Sequence, residues 1–378
     1  MKTKVILLTE TISPYRIPVF NAIAGHLRDQ FLVLFFGKSE KRRQWRIYKE
    51  KIKFRYEVLM HFLFQKKESD PFFLNPTILY KIMKYSPSII IISGYYNPSS
   101  LLAMLYAKYF RRRVILWCES NRYGQRLKYP LTEAYKRWFM RNCTEYIVPG
   151  KASFEYLISL GAKAEKIWIA PDAVDNDYFT QASDKQRETK EIFKQSKGYL
   201  NKVILYVGRL VDQKGILDLL KAFQILSREQ ADLCLLLIGN GEGEARYRNF
   251  CKTNNIRNVF FAGFVHQEEL PLYYAVADVF VLPSHSDPWG LVLNEAMACK
   301  LPVISSNVAG AAGDLIINGE NGYIYEEANI EELIGALKKV LNSDGKSMGM
   351  KSYEIIQNFS PARCASGFLE AITLKKIK

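Results

Sequence analysis

The sequence predicts an α/β protein built from two doubly wound domains. Short apolar, β-branched runs alternate with helix-like segments in both halves of the chain. Near-continuous apolar strands of this kind are typical of parallel sheets that are buried on both faces. The 378 residues also exceed one ordinary core, since a domain averages about 150 residues. Because ligands of doubly wound sheets bind at the carboxyl ends of the strands, we expect the two domains to face a cleft.

The first domain is expected to occupy residues 1–180. Its apolar runs are VILLT, FLVLFF, IIIIS, VILW, YIV and IWIA. The first run begins at Val5 and is followed by Glu10, so it predicts a strand and not a signal peptide, whose apolar core needs roughly 7–15 residues. A later apolar segment is interrupted by Gly94 and Pro98, so it lacks the roughly 18 uninterrupted apolar residues of a membrane span.

The second domain is expected to occupy residues 181–358. Its apolar runs are VILYV, LCLLLI, VFFAG, VFVL and PVIS. Residues 176–202 are polar, charged and poor in aliphatic side chains, and we expect them to be a linker. Residues 359–378 predict a C-terminal helix with an apolar face that includes Phe368 and Leu369. This helix is expected either to end the second domain or to cross back to the first.

Cysteine and histidine usage predicts a reduced, cytoplasmic protein. The six cysteines lie far apart and form no C-x-x-C pair, and only four histidines accompany them. This composition favours neither a disulfide framework nor a structural zinc site.

The net charge of +15 belongs entirely to the first half of the chain. Residues 1–180 hold 30 Lys and Arg against 15 Asp and Glu. Residues 181–378 hold 23 basic residues (Lys and Arg) and 23 acidic residues (Asp and Glu). Such asymmetry indicates an anionic partner for the first half. We expect an anionic membrane surface, and not nucleic acid, because no nucleic-acid-binding motif accompanies the charge. The alternative is a charged face that is only solvated.

The densest basic stretch is SEKRRQWRIYKEKIKFRYEV. Within it, Lys51, Lys53 and Arg55 alternate with apolar residues, as in a half-exposed strand. The same half carries further cations at Arg111, Arg112, Arg113, Arg122, Arg126 and Lys128.

A cation-bearing turn, GRLVDQKG, follows the strand VILYV in the second half. It contains Arg209 and Lys214, with Gly208 before them and Gly215 after them, and a helix is predicted from about residue 216. Two cations at the carboxyl end of a buried strand, beside a helix N-terminus, can hold a diphosphate. The alternative is a turn whose basic side chains are only solvated.

A second glycine-rich turn, GNGEG from Gly239, follows the strand LCLLLI. A dinucleotide-binding G-x-G-x-x-G sequence would require glycine where this chain has Glu244, and the segment after the first strand, TETISPYR, contains no glycine. Hydride transfer is therefore disfavoured, and we expect these glycines to form a tight turn.

The stretch SHSDPWGLVLNEAMACKLPVISS, residues 284–306, carries two acids eight positions apart. Pro288 disfavours helical conformation at Asp287 and suits the start of a helix, so Asp287 is expected in the loop. Gly290 allows close approach to the backbone, and the first helical amides can bind an anion. Glu295 would lie roughly 7–8 Å farther along the helix, a spacing that suits the two ends of a nucleotide sugar. The alternative is that Asp287 caps the helix and Glu295 is exposed.

Four segments, in this order and spacing, are similar to the second domain of a known enzyme family. They are GRLVDQKG, FAGFVHQEELPLYYAVADVFVLPS, SDPWGLVLNEAMACKLPVISS and NGENGYIY. Over roughly residues 145–358 the chain resembles the large family of retaining glycosyltransferases with the GT-B fold, which includes bacterial polysaccharide and lipopolysaccharide sugar transferases. The resemblance implies two Rossmann-like domains and a nucleotide diphosphate sugar as donor, with no cofactor.

The resemblance also implies roles for individual residues. Catalysis would fall to Asp287, which touches the transferred sugar, and to Arg209 and Lys214. Arg209 and Lys214 would bind the donor diphosphate, and the amides of Gly290, Leu291 and Val292 would hold the distal phosphate. Glu295 would bind the ribose, and the turn of Phe264 and Val265 would lie against the nucleobase.

The chain departs from the family pattern at three places. Asp287 stands where the family usually has glutamate, which is one methylene longer, so the sugar contact is expected to be altered. The glycine-rich first loop of the family is replaced by TISPYRIPVF, which contains Arg16. Glu119 lies where a histidine is often found. Arg16 and Glu119 are therefore the candidates for acceptor or cleft binding in the first domain, where Arg16 would bind donor or acceptor phosphate. The alternative for Arg16 is a plain role in helix entry.

These observations predict a metal-independent hexosyltransferase that acts in cell-surface polysaccharide synthesis. It would move a sugar, with retention of configuration, from a nucleotide diphosphate sugar to a lipid-linked or saccharide acceptor at the inner face of the cell membrane. Two alternatives stay open: a nucleotide-sugar 2-epimerase and a non-catalytic nucleotide-sugar-binding subunit.

Overall fold

The computed structural model describes residues 3–39, 46–64, 72–124 and 130–375. They form two compact units. The first unit takes in the described residues up to Asn121, those from residue 130 to Ala173 and those from Pro361 onward. The second takes in Val174–Ser360 together with residues 122–124.

The first unit is built on a parallel seven-stranded sheet with the order β3-β2-β1-β6-β7-β8-β9 and a separate antiparallel hairpin of β4 and β5. All six apolar runs of the first half form strands, as predicted. The strands are β1 (Val5–Thr9), β2 (Phe31–Phe35), β3 (Tyr56–Val58), β4 (Phe62–Phe64), β5 (Phe72–Leu74), β6 (Ile89–Ser93), β7 (Arg113–Trp117), β8 (Glu145–Val148) and β9 (Ile167–Ile169).

Helices cover both faces of this sheet. Those that follow the strands along the chain are α1 (Ile17–Leu27), α2 (Ile78–Tyr85), α3 (Pro98–Tyr109), α4 (Pro130–Arg141) and α5 (Lys151–Ser159). One face of the sheet packs on α1, and the opposite face packs on α2, α3, α4, α5 and the inner side of the hairpin. Such two-sided burial explains why each strand is a near-continuous apolar run.

The second unit is a parallel six-stranded sheet with the order β12-β11-β10-β13-β14-β15. Its strands are β10 (Lys202–Val207), β11 (Leu233–Ile238), β12 (Val259–Gly263), β13 (Val279–Leu282), β14 (Val303–Ser306) and β15 (Gly322–Tyr325). Its helices are α6 (Asn176–Arg187), α7 (Lys190–Lys197), α8 (Ile216–Glu229), α9 (Glu244–Thr253), α10 (Leu270–Val276), α11 (Leu291–Ala298), α12 (Ala312–Leu315), α13 (Ile330–Leu341) and α14 (Gly345–Ile356).

The prediction that residues 176–202 are a linker is wrong. They form α6 and α7 of the second unit, because the few apolar side chains in this polar segment are well placed. Phe179 is fully buried, and the Asp175 carboxylate caps α6 by accepting a hydrogen bond from the Tyr178 amide. Along the chain, the second unit begins at Val174, whereas the sequence predicts a boundary near residue 180.

The last helix, α15 (Pro361–Thr373), belongs to the first unit. Its Phe368 is fully buried and meets the Trp117 ring edge-on at 5.0 Å between centroids. The helix packs beside α1 and completes the cover over that face of the sheet.

Three further expectations concern strand limits, cysteines and membrane spans. In the described residues 46–58 of the basic stretch, a strand forms only from Tyr56, although Lys51, Lys53 and Arg55 are exposed as the alternation predicts. All six cysteines are buried and free. No helix in the described part of the chain is long and apolar enough to cross a bilayer. The cations at residues 41–43, 126 and 128 lie outside the described residues.

Candidate active site

The strand order of the second unit reverses between β10 and β13, where ligands of doubly wound sheets bind. The two predicted motifs are the turns that follow these strands. Gly215 has φ +65°, and a Cβ there would lie 1.8 Å from the Pro283 carbonyl oxygen. The His285 amide also donates to the Gln213 carbonyl at 2.9 Å. The two turns therefore form one site, and glycine is required where they touch.

Lys214 and Asp287 form an ion pair across this junction. The Lys214 Nζ to Asp287 Oδ2 distance is 2.5 Å, and the two side chains are only 16% and 11% exposed. The family resemblance implied that Lys214 binds the donor phosphate and that Asp287 touches the sugar, as two separate contacts. The structure shows that the carboxylate also holds the ammonium group in place.

Arg209 lies in the same turn as Lys214, directly after Gly208 at the end of β10. The hydroxyl of Tyr206 donates to the Arg209 carbonyl at 2.9 Å. Burial and the nearby Asp287 carboxylate raise the pKa of Tyr206 well above its ordinary value, against an opposing effect of the Arg209 charge. The buried tyrosine thus lies within the field of both groups. Sequence reasoning missed it, because a tyrosine inside an apolar strand gives no signal of a polar role.

The N-terminus of α11 follows the turn after β13. Gly290 has φ +99° and precedes the helix, and the Leu293 amide donates to its carbonyl at 2.8 Å. The amides of Leu291 and Val292 therefore belong to the first turn, where no intrahelical acceptor is available. The segment between β14 and α12 holds this loop, since the Ala311 amide donates to the Trp289 carbonyl at 3.0 Å. A first turn held in this way is suited to a phosphate.

A histidine that sequence reasoning did not single out also braces this loop. The two ring nitrogens of His285 face two carboxylates, with Nδ1 at 2.5 Å from Glu327 Oε1 and Nε2 at 3.4 Å from Asp218 Oδ2. These contacts tie the turn after β13 to α8 and to the segment after β15.

Glu295 is fully buried, so the alternative of an exposed helix residue is wrong. The hydroxyl of Tyr274 donates to its Oε2 at 2.6 Å. Tyr274 is itself fully buried against Phe179, with ring centroids 6.2 Å apart. A buried carboxylate needs such partners, since burial of an isolated charge is costly. Its contact with a ribose stays a prediction.

The glycines after β11 serve close packing between turns. A Cβ at Gly239 would lie 1.9 Å from the Gly208 carbonyl oxygen, and one at Gly241 would lie 2.4 Å from the Leu210 carbonyl oxygen. This is the tight turn that the sequence predicts.

The turn predicted to meet the nucleobase begins just after β12. The Gly239 amide donates to the Gly263 carbonyl at 2.8 Å, which links this turn to the glycine turn. Val265 is buried and Phe264 is half-buried beside the His266 ring. Because β12 lies two strands from β10, the distance between their ends is roughly 10 Å. The nucleobase contact stays a prediction.

The first unit contains a second charged cluster, at the carboxyl ends of β1, β7 and β9. The Arg16 guanidinium donates to Glu119 Oε1 at 2.6 Å and to Thr9 Oγ1 at 3.0 Å, and it lies over the Trp117 ring at 4.2 Å. The two candidates Arg16 and Glu119 therefore come together, and their role in acceptor binding stays a prediction.

Asp172 is a member of this cluster that sequence reasoning missed. Burial and the Glu119 carboxylate raise its pKa well above the ordinary value, although Arg16 opposes them. Burial lowers the pKa of Arg16, yet the carboxylates of Glu119, Asp172 and Glu10 outweigh it and raise the pKa overall. The only sequence signal was an acid three residues after the last strand of the unit, at the edge of the sheet where ligands of doubly wound folds bind.

Metal binding was not predicted, and no group of three or more His, Cys, Asp or Glu residues suited to a metal occurs among the described residues. Independence from metal stays a prediction.

The part of the chain that carries these turns is similar to a known protein family. Residues 187–356 match the family of glycosyl transferases group 1. The chain is 32% identical over 160 residues to the capsular polysaccharide biosynthesis glycosyltransferase CapM of Staphylococcus aureus. The matched region covers 42% of this chain and 42% of that protein. The match thus spans less than half of the curated relative.

Solved structures match nearly the whole chain at low identity. A crystal structure of Anabaena Alr3699/HepE in complex with UDP superimposes with a TM-score of 0.75 at 19% identity, covering 98% of this chain and 100% of that one. The apo form of the lipopolysaccharide outer core galactosyltransferase WaaB superimposes with a TM-score of 0.70 at 18% identity, covering 98% and 99%. At such identities the likeness shows the fold. Residues 187–356, less than half of the chain, thus match the family of glycosyl transferases group 1, and the whole chain shares the fold of these solved structures.

Proposed function

We propose that the protein is a hexosyltransferase that moves a sugar from a nucleotide diphosphate sugar to a saccharide or lipid-linked acceptor. The observation that carries this proposal is the junction of the turns after β10 and β13. The turn after β10 carries Arg209 and Lys214, and the turn after β13 leads into the first amides of α11, both at the topological switch point of the sheet. Two cations and a helix N-terminus are the groups that a leaving diphosphate requires.

The names of the similar proteins support the chemical class. One solved structure of the same fold holds UDP, and another is a lipopolysaccharide galactosyltransferase. CapM is named for capsular polysaccharide biosynthesis. For this chain we accordingly propose a nucleotide-sugar donor, a saccharide acceptor and a role in cell-surface polysaccharide synthesis.

The mechanism we propose is front-side attack with retention of configuration. The acceptor oxygen bonds to the anomeric carbon, the bond from that carbon to the diphosphate oxygen breaks, and the departing phosphate takes the acceptor proton. Arg209, Lys214 and the amides of Leu291 and Val292 stabilise the charge that develops on the diphosphate. Asp287 positions Lys214 during this step.

The acceptor is proposed to be presented at the cytoplasmic face of an anionic membrane. The support is the charge distribution, with the whole surplus of +15 in residues 1–180. Cations near such a surface contribute about 1 kcal/mol each.

The test is incubation of the full chain with labelled UDP- and GDP-sugars and a membrane extract. Sugar transfer would support the proposal, an epimerised free donor would indicate the 2-epimerase, and binding without turnover would indicate a non-catalytic subunit. The control is Arg209→Ala with Lys214→Ala, which should abolish transfer. Addition of EDTA tests independence from metal, and the anomeric configuration of the product tests retention.

A further inference from the structure

The hairpin of β4 and β5 exposes an apolar outer face. Its inner side chains, Leu63 and Phe73, pack on the core of the first unit. The outer positions form two cross-strand pairs, Phe62 with Leu74 and Phe64 with Phe72, and their exposures are 55%, 41%, 59% and 43%. A half-buried ribbon normally alternates apolar with polar residues. This ribbon is apolar on both sides.

The same outer layer of the unit continues the apolar surface. Helices α2 and α3 pack on the same face of the sheet as the hairpin, through buried residues such as Ile82 and Met104. Their opposite sides expose Leu79, Tyr80 and Met83 of α2 and Leu105 and Tyr109 of α3. Of 22 exposed large apolar side chains in the described part of the chain, 13 lie within residues 58–110. The concentration is therefore regional and not a scatter of single residues.

The charge around this layer is positive. The described part of residues 58–118 contains six Lys and Arg and no Asp or Glu. Two of these cations are paired with acids outside this range, Lys81 with Glu57 and Arg113 with Glu145. Lys84 of α2, Lys108 of α3 and Arg111 after α3 are exposed beside the apolar side chains. An anionic surface would complement this layer, whereas a second copy of the chain would bring like charges together.

We propose that this layer docks the protein on an anionic lipid bilayer. We call it the docking face and define it by Phe62, Phe64, Phe72 and Leu74 of the hairpin together with the exposed residues of α2 and α3 named above. The four outer side chains of the hairpin enter the interface between headgroups and acyl chains, and the lysines pair with anionic headgroups. This inference rests on the membrane association proposed above, and it places the contact at the hairpin and not at Lys51, Lys53 and Arg55.

The experiment is flotation of the full chain with vesicles of phosphatidylglycerol and phosphatidylcholine. The variant Phe64→Ser with Phe72→Ser removes one cross-strand pair, whose ring centroids lie 6.3 Å apart. We expect at least a tenfold loss of binding to the anionic vesicles. Ile192→Ser is the matched control, because Ile192 is 69% exposed on α7 of the second unit, and it should bind like the wild type.

A second variant guards against a folding defect. Tyr80→Ser with Met83→Ser changes residues that are 60% and 54% exposed on α2, and it should also lose binding while its melting temperature stays that of the wild type. Unchanged flotation of both variants would overturn the proposal. A concentration-dependent dimer of the wild type without lipid, abolished by the hairpin variant, would overturn it in favour of a second copy.

Transfer to a water-soluble saccharide acceptor separates this proposal from the proposed function. A variant that loses flotation but keeps transfer would support both. A wild type that floats but transfers no sugar would support the docking face and count against the proposed function. Neutralising Lys51, Lys53 and Arg55 tests the other location. A loss of flotation in that variant, with none in the hairpin variant, would overturn the docking face.

Discussion

The ion pair of Lys214 and Asp287 leads to a prediction in which stability and affinity change in opposite directions. Asp287→Asn keeps an amide oxygen that can accept from Lys214 but removes the negative charge. The two side chains are 16% and 11% exposed. The contribution of this ion pair to stability should therefore lie between that of an exposed and that of a buried salt bridge. Loss of the partner charge should lower the free energy of unfolding by about 1–3 kcal/mol.

Nucleotide diphosphate should bind more tightly to the same variant. A phosphate oxygen held by Lys214 would lie about 5 Å from the Asp287 carboxylate, since two hydrogen-bonded contacts separate them. At an effective dielectric constant of about 20, two unit charges at that distance repel by about 3 kcal/mol. Screening by solvent and salt lowers this to about 1–2 kcal/mol, so we expect affinity to rise about 5- to 30-fold.

The assay combines thermal unfolding with titration calorimetry on UDP and GDP. The melting temperature of Asp287→Asn should fall without ligand, and the dissociation constant of the better nucleotide should decrease. Asp212→Asn is the matched control, because Asp212 lies in the same turn, pairs with Arg246 and is 69% exposed. That control should change the affinity little.

The result that would refute this reasoning is an unchanged affinity for the nucleotide diphosphate in Asp287→Asn. If affinity fell only for the sugar-bearing nucleotide, Asp287 would act through the sugar and not through Lys214.

Three further predictions concern the buried acids and one glycine. Glu295→Ala should weaken nucleotide-sugar binding more than tenfold by calorimetry, and unchanged affinity would remove its ribose assignment. The pKa of Asp172 is raised by burial and by Glu119, so the folded chain keeps a proton that the unfolded chain releases above about pH 4. Stability should therefore fall as the pH rises from that value through the raised pKa. Asp172→Asn should raise the melting temperature more at pH 7 than at pH 4, and an equal effect at both would contradict the assignment. Gly215→Ala should lower the free energy of unfolding by more than about 1 kcal/mol, because φ is +65° and Pro283 blocks the Cβ. Gly313→Ala is its control, since nothing lies within 4 Å of a Cβ there, and equal melting temperatures of the two variants would argue against this account.

Local pattern predicted the strands well but not the helical segment that precedes the second sheet. Each apolar run forms a strand, because a strand that is buried on both faces requires apolar side chains at consecutive positions. The segment 176–202 misled because only a few of its side chains, such as Phe179, face the core. A helix needs only one apolar stripe, and a short stripe is easily hidden among charged residues.

The sequence by itself determined the fold class and singled out the two turns that we assign to the donor, because these depend on local burial and on short spacings such as that between Asp287 and Glu295. Only the tertiary structure decided which side chains meet. Lys214 and Asp287 are 73 residues apart, and Arg16 and Glu119 are 103 apart. Strand order brings such residues together at the carboxyl edge of a sheet, and strand order is not written in any single segment. The same reason applies to the outward Phe64 and Phe72, since only packing shows which side of the hairpin the core leaves exposed.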